Sequence, residues 1–455
     1  MHEGYGQLAE FFEDRLPLLI WYPDQAAFPL LVERLVHGLD EVGLPIRPVD
    51  LDARISATKE QVAALLPGLG QVHLDLSRGA LRSLFGEESL ADQSRRALDL
   101  VREIGGDVQV IVDLSSGRME GPPPREPRLW GEDTGDPWWL ESIYGRWPMA
   151  DYDRLGEGVG VAVIDHPVQP DHPALAGRVA PAIEAWRMPH YPQVVPQWDD
   201  HGTGSAGLVA GRSAHGLGVA PACHLYPVHV TPGPALQGRP DRIRMSCRAI
   251  ELIRRRQLDG GGWAPLQVVT QQVALTGLDF VAGLSDQYET ALFILEAAYS
   301  RAAGTWGLAL VASAGSHPKA HWPVPPAGLA GVWSVGAIDD RHAYVRRSAH
   351  LGVDLAAVVS KDGLGPWSCA AGGGLARQGQ ATSAAAPLAA GTLAALISIE
   401  GVGPRRALRW LRKEGLVLPG GASKVCLEPW ALSRTSRMNR TSRRPLPPSR
   451  PDGAG

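Results

Sequence analysis

The residues Gly160-Val-Ala-Val-Ile-Asp165 form a short apolar run that ends on a carboxylate. An uninterrupted run of small and β-branched residues is typical of a strand that is buried on both faces, as in a parallel sheet flanked by helices. Asp165 alone is equally well explained as the cap of the next turn. The stretch therefore predicts an α/β fold, and Asp165 indicates chemistry only if it has partners elsewhere in the chain.

Apolar runs of the same kind recur on the C-terminal side of this stretch. They predict further strands at residues 223–229, 266–273, 308–314 and 332–338. The chain has 455 residues, which is long for a single compact domain. We therefore predict a large α/β domain over residues 130–416 and a smaller companion domain before it.

Residues 1–117 are predicted to form that companion, a small α/β domain. Short apolar runs alternate with helical patterns here, and this alternation favours a mostly parallel sheet, with residues 59–66 as one of the helices. A Pro-rich linker follows at residues 118–129, where closely spaced prolines stiffen the chain. Residues 417–455 are predicted to be a C-terminal extension whose basic tail, with six arginines between residues 434 and 450, is disordered.

The composition indicates a globular protein of the cytoplasm. Hydrophobic residues make up 44% of the chain, charged residues 20%, and the formal net charge is -4. This balance does not point to a specific nucleic-acid partner, and no apolar run is long enough to predict a membrane span. The four cysteines lack CxxC spacing, and the N-terminus lacks the pattern of a signal peptide, so we expect a reducing compartment.

Two further segments supply the partners that Asp165 needs. The first is Asp200-His-Gly-Thr203, and the second is Gln380-Ala-Thr-Ser-Ala-Ala-Ala-Pro387. Taken singly, His201 is explained as a structural histidine and Ser383 as the cap of a helix. Together with Asp165 they give an activated hydroxyl, its base and the carboxylate that orients the base, in the chain order Asp, His, Ser known from subtilisin.

With these motifs the chain resembles the subtilisin-like (subtilase) serine protease family over about residues 130–415. Three more segments match that family's pattern: Gly218-Val-Ala-Pro221, Val311-Ala-Ser-Ala-Gly315 and the strand at residues 332–339. The resemblance implies Ser383 as nucleophile, His201 as general base and Asp165 as the residue that orients His201. It also implies a subtilisin-like parallel sheet flanked by helices.

The oxyanion hole is where the sequence departs from the family. The backbone N–H of Ser383 is the first expected donor. The family places Asn after the Ala-Gly of the oxyanion strand, whereas this chain has Ser316 followed by His317. Ser316 is a candidate donor through its shorter hydroxyl, His317 is a substitute, and a loop serine without a role fits equally well. The family's small residues after the aspartate are replaced by His166 and Pro167.

The substrate-binding segment is predicted at Gln271, Gln272 and Val273. Their strand occupies the place of the family's substrate-binding strand, and we expect an exposed edge that pairs with an extended peptide. A core strand is the alternative explanation. No residue cluster predicts a metal site, and no cofactor is expected, although the sequence leaves calcium binding open.

These features predict an intracellular serine endopeptidase that cleaves a protein or peptide substrate through an acyl-enzyme. Residues 1–117 are then either an adaptor or sensor that binds a regulatory protein partner, or an inhibitory prodomain that is released by a cut in the linker. The alternative function is a catalytically impaired pseudoprotease that binds peptides on the same fold. All three triad residue types are retained, which favours the enzyme.

Overall fold

A computed structural model describes eleven parts of the chain. They are residues 15–51, 61–113, 135–145, 148, 151–189, 191, 194–233, 242–273, 287–316, 321–418 and 421–425. The predicted linker at residues 118–129 and the predicted basic tail lie outside the described residues.

The larger sheet has eight strands in the described part of the chain, and all of its pairings are parallel. The strands are β6 (Gly160–Asp165), β7 (Ile183–Glu184), β8 (His224–His229), β9 (Leu266–Gln271), β10 (Ala309–Ser313), β11 (Val332–Asp339), β12 (Leu355–Ser360) and β15 (Ser423–Lys424). Their order is β15-β12-β11-β10-β9-β6-β8-β7. The predicted fold class is confirmed, and the sheet extends past residue 416 because β15 pairs with β12.

Helices cover both faces of this sheet. The helices are α4 (Trp138–Tyr144), α5 (Asp200–Ala210), α6 (Arg242–Asp259), α7 (Gln287–Gly304), α8 (Thr382–Glu400) and α9 (Pro404–Glu414), and β13 (Trp367–Cys369) and β14 (Leu375–Arg377) form a separate hairpin. On β6, Val161 and Val163 face α5 and α8, whereas Ala162 and Ile164 face α6 and α7. Alternate side chains of one strand thus enter two cores.

Helix α8 is the most apolar of the helices. Among the described residues it is the only helix long and apolar enough to cross a membrane, and 83% of its 18-residue apolar window is buried inside the protein. Core helices of globular proteins pass the same test of length and composition.

The smaller N-terminal domain has a mainly antiparallel sheet, so the predicted parallel sheet is wrong. Its strands β1 (Arg15–Trp21), β2 (Ile46–Asp50), β3 (Gln61–Leu66), β4 (Gln71–Ser77) and β5 (Gln109–Val112) have the order β2-β3-β4-β1-β5. Among the described strands of this sheet, β2 and β3 pair in parallel and the other pairs are antiparallel. The physical reason is the tight turn at residues 67–70. It pairs residues 61–66 with β4 as a hairpin, so a strand is observed where a helix was predicted at residues 59–66.

Gly70 makes this turn feasible. Its φ of 66° lies in the left-handed region, and a Cβ atom there would approach the carbonyl oxygen of Tyr22 to 2.5 Å. Only glycine adopts this conformation without strain in so little space.

The N-terminal sheet is covered on both faces. Helices α1 (Phe28–Glu41), α2 (Arg78–Phe85) and α3 (Leu90–Gly105) pack on one face. The other face packs on α6 and α7 of the large domain, where Leu19 and Val62 share a core with Ile250 and Ile294. The two domains are therefore joined by a continuous apolar interface.

The same interface contains buried charge. The guanidinium of Arg244 on α6 lies 2.6 Å from the carboxylate of Asp75 on β4, and both side chains are at most 2% exposed. The backbone N–H of Arg244 donates to Asp113 at 2.6 Å. A buried ion pair holds two surfaces in one register, because either partner left alone would be a costly unpaired charge.

Candidate active site

The end of β6 and the start of α5 bring Asp165 and His201 together. His201 Nδ1 donates to Asp165 Oδ1 at 2.7 Å, and the same oxygen accepts from the backbone N–H of His166 at 2.7 Å. Asp165 is fully buried, while the His201 side chain remains 25% exposed. With the proton on Nδ1, Nε2 is left as the nitrogen that can accept a proton from a nucleophile.

The electrostatics of this pair favour its charged forms. Burial alone would raise the pKa of Asp165, but the charge and hydrogen bond of His201, followed by the charge of His166, lower it below its ordinary value. Burial likewise works against a charged His201, yet the charge and hydrogen bond of Asp165 and the charge of Asp199 raise the pKa of the imidazole. The site can thus hold a negative carboxylate beside an imidazolium.

Ser383 lies in the first turn of α8, whose partner in the core is α5. The helix cap is Ala381, which makes no side-chain capping bond, so the cap role considered for Ser383 is not observed. In the described part of the chain, His201 bonds to Asp165 and no hydrogen bond links it to Ser383. Catalytic hydrogen bonds are commonly long in substrate-free enzymes and shorten when substrate binds.

Three hydroxyl groups surround the start of α8. Thr382 Oγ1, which is buried, lies 2.7 Å from Ser313 Oγ and 2.8 Å from Ser316 Oγ, and it accepts from the backbone N–H of Gly315 at 3.2 Å. Ser316 Oγ also accepts from the backbone N–H of Thr382 at 2.9 Å. Ser316 is thereby fixed next to the residue that precedes Ser383. His317, the other candidate donor, lies outside the described residues.

The predicted substrate-binding residues lie at the end of an interior strand. Strand β9 is paired with β6 on one side and β10 on the other, so residues 266–271 have no exposed edge. The side chains of Gln271, Gln272 and Val273 are all buried, and Gln271 Nε2 donates to the carbonyl of Val273 at 2.9 Å. Peptide binding by these three residues stays a prediction.

Sequence reasoning missed three polar residues beside the dyad. His166 and Asp199 form a contact of 3.2 Å between Nδ1 and Oδ1, and His229 is buried at the end of β8. The signals in the sequence were the acidic pair before His201 and the histidine directly after Asp165. No group of three or more His, Cys, Asp or Glu side chains in the described ranges is arranged to hold a metal ion.

Comparison with known proteins identifies a family for most of the large domain. Residues 156–410 match the model of the subtilase family. A subtilisin-like protease of Coccidioides posadasii is 29% identical over 294 residues, which are 62% of this chain and 65% of that protein. The match therefore spans slightly less than two thirds of the fungal relative.

Solved structures show the same fold. The epidermin leader peptide processing serine protease of Staphylococcus aureus has a TM-score of 0.62 at 16% identity, and the alignment covers 93% of this chain and 99% of that one. A psychrophilic protease has a TM-score of 0.50 at 20% identity and covers 65% of this chain and 100% of its own. The first alignment is too long to be supplied by residues 130–416 alone, so it includes part of the N-terminal domain.

The parallel sheet and a family match over more than half of the chain lead to one conclusion. The predicted resemblance is confirmed, and the chain belongs to the subtilase family of serine proteases.

Proposed function

We propose that this protein is a serine endopeptidase that uses Asp165, His201 and Ser383 as its triad. The observation that carries the proposal is the 2.7 Å hydrogen bond from His201 Nδ1 to Asp165 Oδ1. His201 lies on α5, and this helix packs against α8, which carries Ser383. Ser383 Oγ attacks the peptide carbonyl while His201 Nε2 takes its proton and passes it to the leaving amine. Water then hydrolyses the acyl-enzyme by the same route in reverse.

The developing oxyanion has two candidate donors. The first N–H groups of a helix have no partner within it. The N–H of Thr382 is used by Ser316 and that of Ala384 by Ala381, which leaves the N–H of Ser383 for the substrate. The Ser316 hydroxyl is the second donor in our proposal. When the Thr382 hydroxyl donates to Ser316 Oγ, the proton of the Ser316 hydroxyl is free to point at the oxyanion.

Labelling with a fluorophosphonate tests this function. The purified protein should react, and Ser383→Ala and His201→Ala should both abolish the reaction. An unreactive wild-type chain in which the linker has been cut would contradict the proposal. It would support the second candidate, a peptide-binding pseudoprotease, which is favoured by one observation: Ser316 stands where the family has Asn.

For the N-terminal domain, the contacts favour an inhibitory prodomain over an adaptor. One face of its sheet is covered by α1, α2 and α3, and the other packs directly on the peptidase domain, as expected of a domain that acts on its own enzyme. A domain bound to its own enzyme through a buried ion pair can control that enzyme directly. We also keep the predicted cytoplasmic location and protein substrate as parts of this proposal.

Following the purified chain on a gel over time separates the two roles. A prodomain predicts cleavage near residue 120 in wild type and an intact chain in Ser383→Ala. An adaptor predicts that both chains keep their full length while wild type still labels.

A further inference from the structure

A second carboxylate–imidazole pair lies directly beside the catalytic dyad. Asp199 is the cap of α5, and its Oδ1 accepts from the backbone N–H of His201 at 2.7 Å. The same oxygen lies 3.2 Å from Nδ1 of His166, whose side chain is 1% exposed. The backbone N–H of Asp199 donates to the carbonyl of Pro167 at 3.1 Å. Asp199 therefore ties the segment after Asp165 to the helix that carries His201.

Close packing of the helix on this segment adds to the connection. A Cβ atom on Gly202 would lie 2.2 Å from the carbonyl oxygen of His166, so α5 rests directly against the backbone next to Asp165. The rings of His166 and His201 have centroids 5.6 Å apart. Any movement of His166 or Asp199 would change the distance between the base and the carboxylate that orients it.

The Asp199–His166 pair also adds to the charged and titratable groups near His201. Within the described residues, the charged and titratable groups around His201 come from three elements. They are Asp165 at the end of β6 with His166 after it, Asp199 and Asp200 at the start of α5, and His229 at the end of β8. Asp200 is directed to the backbone N–H of Ala371 at 2.7 Å. His229 accepts at Nε2 from the N–H of Val168, which requires a neutral ring.

We propose that Asp199 and His166 are positioning residues of the catalytic dyad, which hold Asp165 and His201 in register, and that Asp199 also sets the lower pH limit at which His201 works as a base. This inference rests on the proposed function. A carboxylate near an imidazole stabilises its protonated form. The charge of Asp199 indeed raises the pKa of His201, after the larger influences of burial and Asp165.

The charge of Asp199 should therefore move the acid limb of the pH profile. Asp199→Asn keeps an oxygen for the helix cap, because Asn caps helices as well as Asp does, and removes only the charge. It should shift the acid limb of kcat/KM to lower pH by on the order of half a pH unit. His166→Gln removes the ring that contacts Asp199 and should lower kcat/KM at every pH.

The experiment measures kcat/KM from pH 5 to 9 for wild type, both variants and Asp171→Asn, an exposed control on the same loop. A shift to lower pH in Asp199→Asn and a lower kcat/KM in His166→Gln, with the control as in wild type, would support the proposal. An unmoved limb in Asp199→Asn, or a His166→Gln variant as active as wild type, would overturn it. If His166→Gln does not fold, Asp199→Asn alone decides. Absence of activity and labelling in wild type whose linker has been cut is a different result, since it contradicts the proposed triad itself.

Discussion

At the scale of single residues, the start of α8 departs most from what the family resemblance implies. The family's oxyanion side chain is an Asn, and here the shorter Ser316 is held by Thr382 through two contacts of 2.8 and 2.9 Å. A short hydroxyl can replace a longer amide only if the backbone or a neighbour brings it closer to the oxyanion. Thr382 supplies that neighbour, because its hydroxyl joins Ser316 to Ser313 on β10.

We expect Ser316→Ala to lower kcat by on the order of 100-fold while KM changes little. A donor to the oxyanion acts mainly in the transition state, so its loss affects turnover more than substrate binding. Steady-state kinetics on a peptide substrate measure both constants. Ser313→Ala is the matched control, since it removes a hydroxyl from the same network but from the strand side, and should cost much less. Equal kcat in Ser316→Ala and wild type would show that Ser316 is only a loop residue.

His229 predicts a pH dependence of stability. Burial lowers its pKa to about 4, against about 6.5 in an unfolded chain. The unfolded state therefore binds the proton more tightly, and protonation favours unfolding. Above about pH 6.5 the His229 ring is neutral in both states and does not change the free energy of unfolding. As the pH falls from about 6.5 to about 4, this group should lower the free energy of unfolding by roughly 1.4 kcal/mol per pH unit.

Urea unfolding at pH 7 and pH 5 measures this slope. His229→Gln should reduce the loss of stability between the two pH values, whereas the same change at the exposed His215 should leave it as in wild type. An undiminished slope in His229→Gln would mean that other groups cause the acid sensitivity.

At the scale of elements, α8 is built from small residues because two neighbours approach it closely. A Cβ atom on Gly391 would lie 2.7 Å from the Cβ of Val219 and 3.3 Å from the carbonyl oxygen of Val209. The close approach holds the helix of Ser383 against the end of α5. The position of Ser383, the proposed nucleophile, therefore depends on a glycine that lies two turns further along the helix.

We expect Gly391→Ala to lower the free energy of unfolding by about 1–3 kcal/mol, because overpacking outweighs the better helix propensity of alanine. The same substitution at Gly79 on α2, where no atom lies within 4 Å, should instead stabilise by about 0.4–1 kcal/mol. Thermal and denaturant unfolding of both variants compare the signs. Stabilisation by both substitutions would refute the packing argument.

The sequence predicted the central strands of the large sheet well and the N-terminal sheet poorly. Continuous apolar runs bounded by Gly and Pro located β6, β8, β9, β10 and β11 within about three residues at each end. The run at residues 61–66 is too short for its periodicity to distinguish helix from strand, and the hairpin turn after it decided the outcome. For the site, motif order brought Asp165 and His201 together, but no local pattern reveals that Asp199 reaches back to His166.

At the scale of the whole molecule, the contacts between the two domains differ in how far water reaches them. The Arg244–Asp75 pair is buried, whereas Arg255 meets the largely exposed Asp50 at 2.5 Å on the rim of the same interface. Buried pairs lose much when one partner is removed, because the other charge stays behind without water. Exposed pairs are worth about 0–1 kcal/mol.

We therefore expect Asp75→Ala to destabilise the protein by about 3–5 kcal/mol and Asp50→Ala by less than about 1 kcal/mol. Denaturant unfolding gives the two values in the Ser383→Ala background, which prevents self-cleavage during the measurement. Faster nicking of Asp75→Ala by a second protease, between the two domains, would accompany the loss. Equal effects of the two substitutions would mean that the interface is held by its apolar contacts alone.

Two arginines of α6 make the surface charge of the large domain depend on whether the N-terminal domain is bound. Arg244 and Arg248 are fully buried and face Asp75 and His73 of the N-terminal domain. If that domain leaves, their guanidinium groups enter water and the exposed helix face becomes cationic. The peptidase domain alone would then bind to a cation exchanger, and to polyanions, more tightly than the intact chain, so the proposed release of the N-terminal domain would be seen as a change in chromatographic retention without any substrate.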